Sequence, residues 1–301
     1  MVSCSALLLL ALMCGAASAA PEQHATRIIR FLDEAGVERL GSPADGDGVS
    51  ELIEGDSIHG SHRLTGERAT VARLLSPITR PPVIYCVGLN YPDHAHSVQN
   101  GTLPTSPIIF FKNRNAASGP GTVEIPPAST HPDYEAELVF VVSKTAKDVK
   151  AADALEYVLG YTVGNDVSSR HWQKQAGAGQ WIKGKSFDTF CPLGPVLVTR
   201  AAIPDPQALR VTTRVNGAVQ QDEATADMIF TVAECIAWLS DNMTLLPGTV
   251  VMTGTPSGVA AGRTPPNFLK VGDVVKCEIS QIGTIRNTVV MCPHTSESSS
   301  L

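Results

Sequence analysis

Short apolar runs, broken every few residues by Gly, Pro, Asn or Asp, dominate this chain of 301 residues. A typical helix needs about eleven residues and a typical strand about five. Punctuation this dense therefore restricts the fold to a mainly β (α+β) architecture. Residues 83–87, 108–111, 160–166, 209–215, 250–253, 274–279 and 284–290 read as strands, the first two as buried ones. Asn216-Gly217 joins 209–215 to 218–221 with the strongest short-range hairpin signal. Helices are few. They are expected at the alanine-rich 149–158, at 168–175, and from Thr231 through residue 239, where Glu234 completes a capping box. Segments between Arg27 and Pro82 alternate short apolar runs with turns, and a Pro-rich joint covers 77–82. The expected division is a small strand-rich N-terminal module (20–80) and a larger domain (81–292), followed by a Ser-rich, disordered tail (293–301).

The first nineteen residues read as a signal peptide, with an apolar run over 6–13, small residues after it, and cleavage after Ala19. That run is too short to cross a bilayer. Export is the localisation this predicts, with a mitochondrial or cytoplasmic place as the alternative. Removing the leader leaves Cys86, Cys191, Cys235, Cys277 and Cys292, an odd, scattered set that is not a disulfide framework, and most of them sit among apolar residues and read as small core side chains. Asn100 and Asn242 begin Asn-x-Thr sequons. The formal charge of −6 and the lack of any basic stripe argue against nucleic acid as a partner. No membrane partner is expected.

Chemistry concentrates around 131–138, His-Pro-Asp-Tyr-Glu-Ala-Glu-Leu. In an extended backbone Asp133, Glu135 and Glu137 share one face. Such a row is either the solvated face of an edge strand or a site neutralised by a cation. Asp166, at the end of another strand, adds a third oxygen donor to Glu135 and Glu137. No His/Cys cluster accompanies them, so the set suits Mg²⁺, with Mn²⁺ or Ca²⁺ as alternatives, rather than zinc. An ion held this way keeps positions for a bidentate 2-oxo carboxylate, and a nearby lysine favours its enolate. Lys183 and Lys185 share a face if their segment is extended.

Five segments carry a resemblance: Gly-Leu-Asn-Tyr-Pro-Asp-His, Asp-Tyr-Glu-Ala-Glu-Leu, Asn-Asp-Val-Ser-Ser-Arg, Gly-Lys-Ser-Phe-Asp-Thr-Phe-Cys-Pro-Leu-Gly-Pro and Thr-Gly-Thr-Pro-Ser-Gly. In order and spacing, over about 83–290, they resemble the fumarylacetoacetate hydrolase family. The resemblance implies a fumarylacetoacetase-type mixed β-roll, a homodimer, and a divalent ion in the mouth of the roll. It assigns Glu135, Glu137 and Asp166 to the metal, Lys185 to the active site, and Arg170, Gln173 and Thr255 to the substrate's carboxylate or oxygens. Asp133 is not implied as a ligand and keeps a surface or supporting role. His94 matches a lid histidine that pairs with a glutamate three residues later to activate water. Here that position is Ser97, and no carboxylate occurs between Asp93 and Glu124. His96 is the remaining candidate for part of that role.

The function this implies is a metal-dependent enzyme acting on small 2-oxo or β-diketo acids through a metal-chelated enolate. Three reactions share that intermediate: tautomerisation, carbon–carbon hydrolysis and decarboxylation. Only hydrolysis needs an activated water. With the water-activating pair broken, and with the chain most similar to the family's oxaloacetate tautomerases, tautomerase or isomerase ranks above hydrolase. Other readings are a metal-binding protein without catalysis and a biosynthetic enzyme with a larger substrate.

Overall fold

A computed structural model describes residues 23–44, 48–56, 62–98, 102–176 and 178–293. The expected leader, nearly all of the Ser-rich tail and the sequon at Asn100 lie outside the described residues. The protein is mostly β, as its punctuation predicts. One large mixed sheet starts with an antiparallel meander, Arg63–Thr70, Val49–Glu54, Glu38–Pro43 and Arg27–Leu32. Arg27–Leu32 pairs with Cys191–Thr199, and the sheet continues through Val158–Asn165, Ala136–Val142, Val250–Met252, Ile84–Gly88 and Ile108–Lys112. Val250–Met252 runs parallel to Ile84–Gly88. A second sheet holds Ala218–Ala224, Arg210–Val215, Val274–Ile279, Gly283–Met291 and Gly121–Ile125.

The acidic strand Ala136–Val142 is not an edge. Val158–Asn165 and Val250–Met252 flank it, and all seven of its residues are buried. Alternation sends Leu138, Phe140 and Val142 into the main core cluster while Val139 and Val141 enter a second one. Glu137 shares a face with Val139, so its carboxylate is buried by strand geometry and not rinsed by solvent. Ile29 and Phe31 belong to that main cluster and Ile28 to the second, which ties the N-terminal strands to the same packing.

Local signals with defined chemistry are realised. Asn216 and Gly217 have φ of 50° and 86°, the left-handed pair a two-residue hairpin of type I′ needs. Thr231 and Glu234 form both halves of the capping box at the start of Val232–Ser240. Other expectations are corrected. Residues 168–175 are not a regular helix: Ser168–Ser169 pair with Pro132–Asp133, and Trp172–Ala176 form a π-helical turn. Of 149–158, only Ala151–Tyr157 is helical, as a 3₁₀ segment. Ile108–Lys112 is a half-buried edge strand, with Phe111 exposed, because no strand among the described residues lies beyond it. Cys86, Cys191, Cys235 and Cys277 are buried free thiols, as expected of core side chains. No helix among the described residues is long and apolar enough to cross a membrane.

Candidate active site

The acidic strand stops being regular just before Ala136, and that break turns Glu135 toward Asp166. Asn165 Oδ1 accepts from the Glu135 amide at 3.0 Å, and the Asp166 amide donates to the Glu135 carbonyl at 2.8 Å. Ligand oxygens of Glu135, Glu137 and Asp166 consequently lie within 4.8 Å of one another, and all three residues are buried.

Cations close round them. Lys185 Nζ donates to Glu135 at 2.8 Å, to Asp166 at 2.5 Å and to Ser168 Oγ at 2.7 Å. Arg170 donates to Glu135 at 2.6 Å, to Asp133 at 2.8 Å and to Gln173 Oε1 at 2.9 Å. Lys112 Nζ pairs with Asp166 and donates to the Val167 carbonyl at 3.2 Å. Lys112 was not singled out in the sequence: a lysine ending an apolar run reads as a solvated strand end. Alternation with Phe110 and Ile108 was the only available hint.

Four buried carboxylates thus face three buried cations. Glu137 has no cation partner among the described residues; its Oε2 accepts only the Gly254 amide, at 2.7 Å. Burial, then the like charges of Asp166 and Glu135, push the Glu137 carboxyl well above the usual carboxylate range. Burial also penalises the Glu135 charge, but Lys185 and Arg170 outweigh it and hold Glu135 below its ordinary value. One uncompensated carboxylate beside two others, all oxygen donors, fits a hard divalent cation.

Asp133 is fully buried, so a surface role is excluded and a supporting one remains. It accepts from Arg170 and from the amides of Ala260 and Ala261, at 2.8 and 3.0 Å, tying the arginine to that turn. Lys183 and Lys185 do not share an extended face. They lie on the short helix Trp181–Lys185, with Lys185 buried and Lys183 exposed, its Nζ 4.8 Å from the Phe187 ring centre.

Glu135, Glu137, Asp166, Lys185, Arg170, Gln173, Thr255 and His94 all line one cavity of about 200 Å³. Thr255 already donates its hydroxyl to the Ala136 carbonyl at 2.8 Å. His94 sits on the helix Pro92–Val98, is buried, and has no partner for Nδ1 among the described residues. Desolvation lowers its pKa to about 4, so the ring is neutral. Ser97 Oγ donates to the His94 carbonyl at 2.8 Å and does not orient the ring. His96 is exposed and outside the cavity. A wider cleft of about 990 Å³, lined by Arg30, Arg73, Arg80 and Arg114 among others, holds none of these groups.

A mostly β fold that gathers three buried carboxylates, Lys185 and Arg170 in one small cavity fits an enzyme of hard-cation, oxyanion chemistry. A fumarylacetoacetate (FAA) hydrolase C-terminal family model matches residues 83–290, and the chain belongs to that family. "Oxaloacetate tautomerase fahd2, mitochondrial" of Xenopus laevis is 48% identical over 81% of this chain and 76% of its own length. "Oxaloacetate tautomerase FAHD2A, mitochondrial" of Homo sapiens is 49% identical over 72% and 69%. A crystal structure of 5-carboxymethyl-2-hydroxymuconate delta-isomerase from Mycobacterium smegmatis matches with a TM-score of 0.75 and 37% identity, over 88% of this chain and 99% of that one. Enzymes of this family are generally dependent on a divalent metal. Both relatives are named mitochondrial, which supports the alternative localisation and gives export no support.

Proposed function

We propose that this protein is a divalent-metal-dependent tautomerase of a small 2-oxo acid, with oxaloacetate as substrate, working in mitochondria as its relatives' names indicate. The observation that carries the reading is a buried, neutral His94 whose Nδ1 has no hydrogen-bond partner among the described residues, facing the same cavity as the three carboxylates. Glu135, Glu137 and Asp166 would hold the cation, Mg²⁺ or Mn²⁺. When bound, it would polarise the carboxylate and ketone oxygens of the acid and make its C3 proton more acidic.

The remaining work falls to the chain. Arg170 and the Gln173 amide orient the substrate carboxylate. Lys185 stays charged, because Asp166 and Glu135 outweigh its burial penalty, and it stabilises the oxygen that turns anionic as C3 loses its proton. His94, neutral near pH 7, takes the C3 proton of the keto form and hands that same proton to the enolate oxygen to give the enol, and the reverse reaction carries it back from oxygen to C3. Hydrolysis asks for more. It needs an imidazole held by an acid to activate water, and Ser97 is bonded to its own helix instead.

The test supplies purified protein and Mg²⁺ or Mn²⁺ with enol-oxaloacetate and with acylpyruvates, followed by absorbance and NMR. Accelerated loss of the enol, abolished in Glu135→Ala, is the expected result. Acylpyruvate cleavage faster than tautomerisation would reverse the ranking.

A further inference from the structure

Trp181 begins the short helix that Lys185 ends, and a spacing of four residues puts both on one helix face. Lys185 therefore enters the carboxylate cluster while Trp181 lines the same cavity. The indole is wedged in place. A Cβ on Gly88 would lie 2.7 Å from its Cζ3, so the ring rests directly on the Gly88 backbone. Phe110 meets it edge-on, with ring centres 5.2 Å apart.

The helix beneath the ring is seated as closely. A Cβ on Gly184 would stand 2.8 Å from the Gln173 amide nitrogen and 3.0 Å from the Ser169 carbonyl oxygen. The helix that carries the indole is thus held against the Gln173 and Ser169 backbone. Trp181 is also half-buried, so removing the ring opens the cavity outward instead of leaving a closed void. The cavity it walls, about 200 Å³, is smaller than the roughly 300–1,000 Å³ of pockets for drug-sized ligands.

We infer that Trp181 is the residue that restricts this pocket to short 2-oxo acids and rejects those with long acyl chains. The inference rests on the 2-oxo acid reading of the site but not on which reaction occurs there. A rigid aromatic wall discriminates by overlap: extra methylenes must displace close-packed atoms, which costs more than their burial returns.

The test is binding, measured by calorimetry with Mg²⁺ present, of unbranched 2-oxo acids from 2-oxobutyrate to 2-oxooctanoate. For the wild type, affinity is expected to fall by roughly tenfold or more along the series. In Trp181→Ala the fall shrinks to about threefold or less, and Trp181→Phe, which keeps an aromatic wall, lies between. Circular dichroism establishes that each variant is folded. An unchanged ranking in folded Trp181→Ala overturns the inference. Oxaloacetate turnover by the wild type is measured alongside. A wild type that ranks the acids by length yet fails to tautomerise oxaloacetate sinks the proposed reaction and leaves the role of Trp181 standing.

Discussion

Asp166 is held by two buried lysines at once, Lys112 and Lys185, and this double clamp fixes the donor farthest in sequence from Glu135 and Glu137. Breaking a buried ion pair typically costs about 3–5 kcal/mol, because the abandoned charge stays buried. Lys112→Met is expected to lower unfolding stability by about 3 kcal/mol, the smaller figure, since Lys185 still reaches Asp166. Urea denaturation checks it, and a loss below about 1 kcal/mol would show that Lys112 does not clamp. The clustering of Glu135, Glu137 and Asp166 was legible in the sequence because oxygen donors at i and i+2 have a distinctive chemistry. Lys112 and Asp133 were not, because a charge beside an apolar run or a proline has the same appearance whether solvated or buried. Only three-dimensional packing shows that the partners of Asp133 are Arg170 and a turn more than a hundred residues away.

At the level of elements, signals that depend on local chemistry translated directly into structure. The Asn216-Gly217 hairpin and the Thr231 capping box need only a few consecutive residues to be right. Thr231→Ala removes one half of that box and is expected to destabilise the protein by about 1 kcal/mol while leaving ligand affinity unchanged. Paired denaturation and binding measurements would show it, and a change in affinity would mean that Val232–Ser240 is coupled to the pocket. Segments shaped by their surroundings were less legible. Residues 168–175 carry an acceptable helical pattern, but Ser168–Ser169 are claimed by pairing with Pro132–Asp133. The Trp181–Lys185 helix is not legible in the sequence, where an extended segment was considered, because one turn is too short to establish a period. That turn nevertheless delivers Lys185 to the carboxylate cluster and Trp181 to the wall of the cavity.

For the molecule as a whole, the sequence disclosed a mainly β chain but not which strand lies at the centre. From its sequence the acidic segment could be a solvated edge or a site neutralised by a cation, and the sheet order excludes the edge, placing the strand between two partners with side chains in two core clusters. That central position makes the carboxylates costly, and the cost is met by three cations and, on this account, by a metal. Glu137 is where the account is most exposed. Its carboxyl is raised by burial and by its acidic neighbours, so without metal it binds a proton at pH values where an ordinary glutamate has lost it. A cation must displace that proton, and metal affinity therefore weakens as pH falls. The decisive measurement is calorimetric titration of the metal-free protein with Mn²⁺ or Mg²⁺ in buffers of different ionisation enthalpy. One ion bound with release of about one proton is predicted, with the release lost in Glu137→Gln. No binding, or binding without proton release that survives in Glu135→Ala, would contradict it.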